Sequence, residues 1–273
     1  MNPDSNARPV LAAEIVGRSD ADAPTIVVSA GLGGAAAFWQ PQLAALVQRF
    51  RVVLYDHRGT GRNPAALPEG YSIGDMAEEV IALLDSLGIA RCHFMGHALG
   101  GLVGLEVALR RPALLDRIIL INAWASPNPH TERCFAVRRD LLQNVGVAAY
   151  VRAQPIFLYP AAWLLQNAAR IAEEEAHGVR HFQGTDNILR RIDALLAFDI
   201  SDRLGEIGHC ALVAASKDDT LVPWTCSQQL VAGLPNARPL LVPEGGHAFT
   251  VTEPDRFNEA MLDFLGSNGA AAT

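Results

Sequence analysis

Six short runs of apolar residues recur along the chain, at residues 25–31 (TIVVSAG), 51–56 (RVVLYD), 92–96 (CHFMG), 117–123 (RIILINA), 210–216 (CALVAAS) and 238–244 (RPLLVPE). Near-continuous apolar strands of this kind suit a parallel sheet covered on both faces, because neither side of such a strand meets water. Helical patterns stand between them. Residues 72–88 open with a serine suited to an N-cap, and residues 100–111 end in basic residues just before Pro112. The alternation predicts an α/β fold with a mostly parallel central sheet and helices on both faces.

The rhythm breaks between residues 124 and 204. Residues 131–145, 146–153, 161–182 and 187–198 show amphipathic helical spacing with no good strand among them. This predicts an inserted helical cap over residues 124–204, laid on a core formed by residues 1–123 and 205–273. The terminal stretch 266–273 (GSNGAAAT) is expected to fray.

A chain of 273 residues, half of them apolar, has ample material for one large core. The balance of 22 basic against 29 acidic residues gives a net charge of -7, and no basic run interleaves with aromatics, so a nucleic-acid surface is not expected. No window suits a membrane span and the first residues do not resemble a secretion signal, so a cytoplasmic protein is expected. Cys92, Cys134, Cys210 and Cys226 contain no C-x-x-C pair, which predicts buried free thiols and neither a metal site nor a cofactor. The oligomeric state is open, with a homodimer among the options.

Ligands of open α/β sheets sit at the carboxyl ends of the strands, so the residues after each run are the candidates for chemistry. Residues 29–39 (SAGLGGAAAFW) form a glycine-rich loop in which Gly31 borders a cavity and Leu32 offers a backbone N–H. Residues 96–100 (GHALG) form a sharp strand-to-helix turn that holds Ala98 where an attacking side chain would stand, followed by the N–H of Leu99. Two such N–H groups make an oxyanion hole that owes nothing to the side chain at 98. An acidic loop at 216–223 (SKDDTLVP) and His247 in residues 245–248 (GGHA) follow in chain order. Glycines around a turn are common for packing alone, and a lone histidine is often a core residue; the combination at four strand ends is what points to catalysis.

Together these motifs resemble the α/β-hydrolase superfamily over residues 10–268, where nucleophile, acid and histidine occur in this order. SAGLGG, YDHRGTGRNP, GHALGGLVG, HFQGTDNILRR and GGHA further resemble the RutD family of bacterial pyrimidine utilisation. That resemblance implies hydrolysis of aminoacrylate or carbamate in uracil breakdown, and an alanine that is native at position 98. It also implies that the acid is Asp219, four residues before Pro223, with adjacent Asp218 as the alternative. Asp56 is expected to fix its loop by hydrogen bonds, and His97 to be a packing residue. An anionic small-molecule substrate would find Arg133, Arg190 or Arg191 in the cap.

A methyl group at 98 excludes an acyl-enzyme. Removing the serine from a protease triad leaves roughly 10³- to 10⁴-fold acceleration from the hole and binding, or about 4–5 kcal/mol. That is too little for an unactivated amide and enough for a compound that decomposes unaided. Two other readings share the motifs: a cofactor-free lyase or dioxygenase acting on a larger substrate, and a binding protein without catalysis.

Overall fold

The structure, a computed structural model, describes residues 10–267; the fraying expected of the carboxyl terminus concerns mostly residues beyond them. Seven strands form one sheet: β1 (Ala13–Gly17), β2 (Thr25–Ser29), β3 (Arg51–Tyr55), β4 (Cys92–His97), β5 (Leu115–Ile121), β6 (Cys210–Ser216) and β7 (Ala237–Val242), in the order β1-β3-β2-β4-β5-β6-β7. All neighbours are parallel except β1, which runs antiparallel to β3 along one edge. This is the α/β-hydrolase fold. Strand β1 escapes the sequence pattern because it has a neighbour on one side only and leaves all five of its residues exposed or half-buried, so no apolar run is needed.

Successive strand residues serve opposite layers, as the two-residue repeat requires. Val27, Val53, Phe94, Ile118 and Val213 face one core with α2 (Ile73–Ser86) and α3 (Leu99–Arg110). Ile26, Val52, Met95, Ile119 and Leu212 face the other, which includes Leu46 of α1 (Gln40–Leu46). Helix α2 starts where its sequence says it should: the Ser72 hydroxyl accepts from the Asp75 N–H while the Asp75 carboxylate accepts from the Ser72 N–H.

Between β5 and β6 the described chain is helical: α4 (Pro129–Asp140), α5 (Val147–Leu158), α6 (Ala161–Gln166), α7 (Ala168–Arg180) and α8 (Thr185–Leu196). The expected single helix over 161–182 is two, because the chain leaves the helical region at Asn167. After β6 come α9 (Trp224–Gly233), α10 (Phe249–Thr252) and α11 (Pro254–Gly266), the last two against the second core. Cys92, Cys134 and Cys226 are buried free thiols, but Cys210 is exposed because it begins β6 at the sheet margin. No helix among the described residues is long and apolar enough to cross a membrane.

Candidate active site

The turn from β4 into α3 concentrates backbone strain at one residue. Ala98 sits at φ 47° and ψ -114°, a region that costs a non-glycine residue about 1–3 kcal/mol. The flanking glycines explain how the turn closes. A Cβ on Gly96 would lie 2.3 Å from the Gly100 carbonyl oxygen, and one on Gly100 would lie 2.1 Å from the Ser29 carbonyl oxygen. The strain that normally displays a nucleophile is therefore present under a methyl group.

Beyond β6, the Asp219 carboxylate accepts from the Leu221 and Val222 N–H groups at 2.8 and 2.9 Å with one oxygen. Its other oxygen lies 2.7 Å from His247 Nδ1. Both side chains are buried, and a carboxylate can only accept, so Nδ1 carries the proton and Nε2 is left to the cavity. Asp218 has a different partner set. Burial pushes its carboxyl upward, but the Ser216 hydroxyl and the Gly246 and Gly245 N–H groups outweigh this and hold it below the usual range. It shapes the histidine loop without touching the imidazole.

The His247 carbonyl is itself gripped, by Asn122 Nδ2 at 2.5 Å and His97 Nε2 at 2.9 Å. His97 is enclosed, and burial followed by the proximity of His247 pushes its pKa down to about 3. It is a neutral scaffold residue.

The glycine-rich loop is held just as firmly. Asp56 accepts from the Ala36 N–H at 2.7 Å, the His57 N–H donates to the Gly34 carbonyl at 2.8 Å, and His57 Nε2 donates to the Ala30 carbonyl at 2.9 Å. Among the described residues, neither the Leu32 nor the Leu99 N–H has a hydrogen-bond partner. Gly31, Leu32, Ala98, Leu99 and His247 line one cavity of about 240 Å³, bordered on the far side by Phe135, Arg138, Gln154 and Leu158. That volume lies below the roughly 300–1,000 Å³ usual for drug-sized ligands.

The cap arginines expected at this cavity are not in its lining. Arg133 is exposed on the outer face of α4, and Arg190 is half-buried on α8. Arg191 is fully buried, but its two Nη groups are spent on the core: they donate to the Leu32 carbonyl (3.2 Å), the Arg58 carbonyl (2.6 Å), the Thr60 hydroxyl (2.8 Å) and the Gln183 side chain. Burial lowers its pKa to about 10, so it stays charged at neutral pH and ties α8 to the Leu32 peptide. The arginine that does line the cavity is Arg138. Its signal was present in the sequence: the buried positions of α4 are Thr131, Cys134, Phe135 and Arg138, a helical stripe on which Arg133 does not fall.

Residues 24–150 match the alpha/beta hydrolase fold family. Over 92% of this chain, the sequence is 55% identical to a protein of Agrobacterium fabrum named "Putative carbamate hydrolase RutD", 97% of which is covered. A protein of the same name from Pseudomonas savastanoi is 58% identical over 90% of this chain and 95% of its own. The chain belongs to the RutD family of α/β hydrolases. Among solved structures, an enol-lactonase from Burkholderia xenovorans is similar with a TM-score of 0.85 and 28% identity, over 94% of this chain and 96% of that one. Among the described residues there is no cluster of three or more His, Cys, Asp or Glu side chains that could hold a metal ion.

Proposed function

We propose that this chain hydrolyses a small, intrinsically unstable C–N compound of pyrimidine catabolism, aminoacrylate or carbamate. The observation that carries the reading is the pairing of His247 with Asp219 beside an elbow that bears only a methyl group. A proton-transfer pair without a nucleophile suits reactions in which water and protons are the only other reactants. The name carried by relatives 55–58% identical to this chain supports the substrate class.

His247, with Nδ1–H tied to Asp219, accepts a proton at Nε2. For aminoacrylate, the enamine takes a proton from solvent at carbon to become an iminium ion. Water then adds to the C=N carbon as His247 Nε2 removes one of its protons, and His247 returns that proton to the nitrogen so that ammonia leaves while the hydroxyl proton passes to solvent, leaving an aldehyde acid. For carbamate, a proton delivered to nitrogen breaks the C–N bond and releases ammonia and carbon dioxide. The Leu32 and Leu99 N–H groups stabilise the charge that develops on oxygen. No covalent bond to the protein forms.

The test is ammonia release from freshly generated aminoacrylate and from carbamate, measured against the spontaneous rate. Wild type should accelerate one of the two by about 10³-fold or more, and His247→Ala should lose the roughly 10²- to 10⁴-fold share that a general acid–base group contributes. No acceleration by wild type would overturn the reading and leave the binding protein in its place.

A further inference from the structure

Arg138 is 4% exposed, yet no carboxylate lies within ion-pairing distance of it among the described residues. Its Nη2 donates to the Tyr150 hydroxyl at 3.3 Å and to the Gln154 side-chain oxygen, both neutral acceptors. The buried Nε has no hydrogen-bond partner, and Nη1 has none among the described residues. The flat group is sandwiched by aromatics, with its central carbon 5.0 Å from the Phe135 ring centre, 5.6 Å from Phe157 and 5.7 Å from Tyr150.

A guanidinium taken from water without a counter-charge is costly, and most buried arginines are matched by an acid. Arg191 of this same protein shows the alternative, a buried arginine whose two Nη groups are taken up by four oxygens, leaving only Nε without a partner. Arg138 goes less far: only Nη2 finds acceptors, while both Nε and Nη1 are without one among the described residues. Its stacking partners and Gln154 fix the plane of the group while leaving donors unused. It also stands where the cavity continues into a second space of about 370 Å³ beneath α5 and α7, since Gly33, Ala35, Arg138, Gln154 and Leu158 line both. The other side chains that the cap helices contribute to the inner cavity are apolar apart from Gln154: Phe135, Leu158 and Leu195.

We propose that Arg138 is the carboxylate anchor of the cavity, selecting a short anionic substrate and turning its reactive carbon toward His247. The inference deepens the hydrolase reading and rests on it for the identity of the reacting end. With the carboxylate held by the cap, the Leu32 and Leu99 N–H groups serve the opposite end. That division suits an acid whose C–N bond lies on a carbon other than the carboxyl carbon, which is the aminoacrylate of the two candidates.

Binding is measured by calorimetry with propionate and with its neutral isostere propionamide, so the readout does not depend on turnover. Wild type should bind propionate at least tenfold more tightly than propionamide, and Arg138→Gln should lose about 10- to 100-fold toward propionate and little toward propionamide, the usual range for a charge-assisted pair. Wild type that does not distinguish acid from amide overturns the anchor, as does a folded Arg138→Gln that binds propionate normally. Should Arg138→Gln not fold, the wild-type comparison decides alone. An anchor that binds propionate in a protein without ammonia-releasing activity would sink the hydrolase reading and leave the anion site standing.

Discussion

His97 donates its Nε2–H to the backbone carbonyl of His247 at 2.9 Å, so one histidine positions the main chain of the other. A carbonyl cannot donate, so Nε2 carries the proton, and burial keeps the His97 ring neutral with a bare Nδ1. His57 is held in the same way by the Ala30 carbonyl, and burial together with the nearby Arg191 charge pushes its pKa down to about 3.

These two histidines give stability a definite pH dependence. Each is protonated in the unfolded chain below its ordinary value of 6.5 and stays neutral in the fold down to about 3. The unfolded state thus binds more protons across that window, and stability falls as pH falls, by up to about 1.4 kcal/mol per pH unit for each histidine. His57→Gln keeps a donor for Ala30 but cannot titrate. Chemical denaturation between pH 7 and 4 should show a shallower loss in this variant, and curves parallel to wild type would refute the assignment.

The two adjacent acids should separate by function. Asp219→Asn removes the acceptor that sets the His247 tautomer and should bring ammonia release down by 10²-fold or more, toward the uncatalysed rate. Asp218→Asn should keep turnover within about tenfold while weakening the fold by about 1–3 kcal/mol, because its carboxylate satisfies the Gly245 and Gly246 N–H groups. Rates and urea midpoints measured on both variants check this, and the reverse ordering would count against the His247–Asp219 pair.

Ala98→Ser adds one atom to a residue that already holds the strained elbow conformation. The variant should fold and become labelled by a fluorophosphonate, with weak activity toward short p-nitrophenyl esters, whereas wild type should do neither. Mass spectrometry of the treated proteins reads the outcome. A folded but unlabelled variant would mean that His247 Nε2 or the hole does not reach the elbow.

Arg191→Met should cost about 3 kcal/mol of stability, since it strips four buried acceptors of a charged donor. Arg191→Lys should recover only part of that, because an ammonium cannot span the same set. Urea denaturation distinguishes the two, and equal stability of all three proteins would contradict the brace between cap and core.

Much of the architecture follows from local rules. Apolar runs marked six of the seven strands, Ser72 marked a helix start, and the glycines at 96 and 100 marked a sharp turn. The order elbow, acid, histidine placed the candidates at strand ends because a parallel sheet puts all those ends on one side. Helical spacing even carried the burial of Arg138 and Arg191, since each lies on the apolar stripe of its helix.

Periodicity says which face a residue occupies but not what meets it there. Asp219 and His247, 28 residues apart, come within 2.7 Å only because β6 and β7 are neighbours in the sheet. Of the two buried arginines among the described residues, Arg191 reached the Leu32, Arg58 and Thr60 oxygens with both Nη groups, while Arg138 met aromatic rings and two neutral acceptors with Nη2 and kept Nη1 and Nε free. The sequence by itself determined the layers, the turn and the short roster of chemical groups, which depend on neighbours a few residues away. Only the tertiary structure decided which charge is satisfied and which is left open, because that depends on backbone oxygens brought from distant segments.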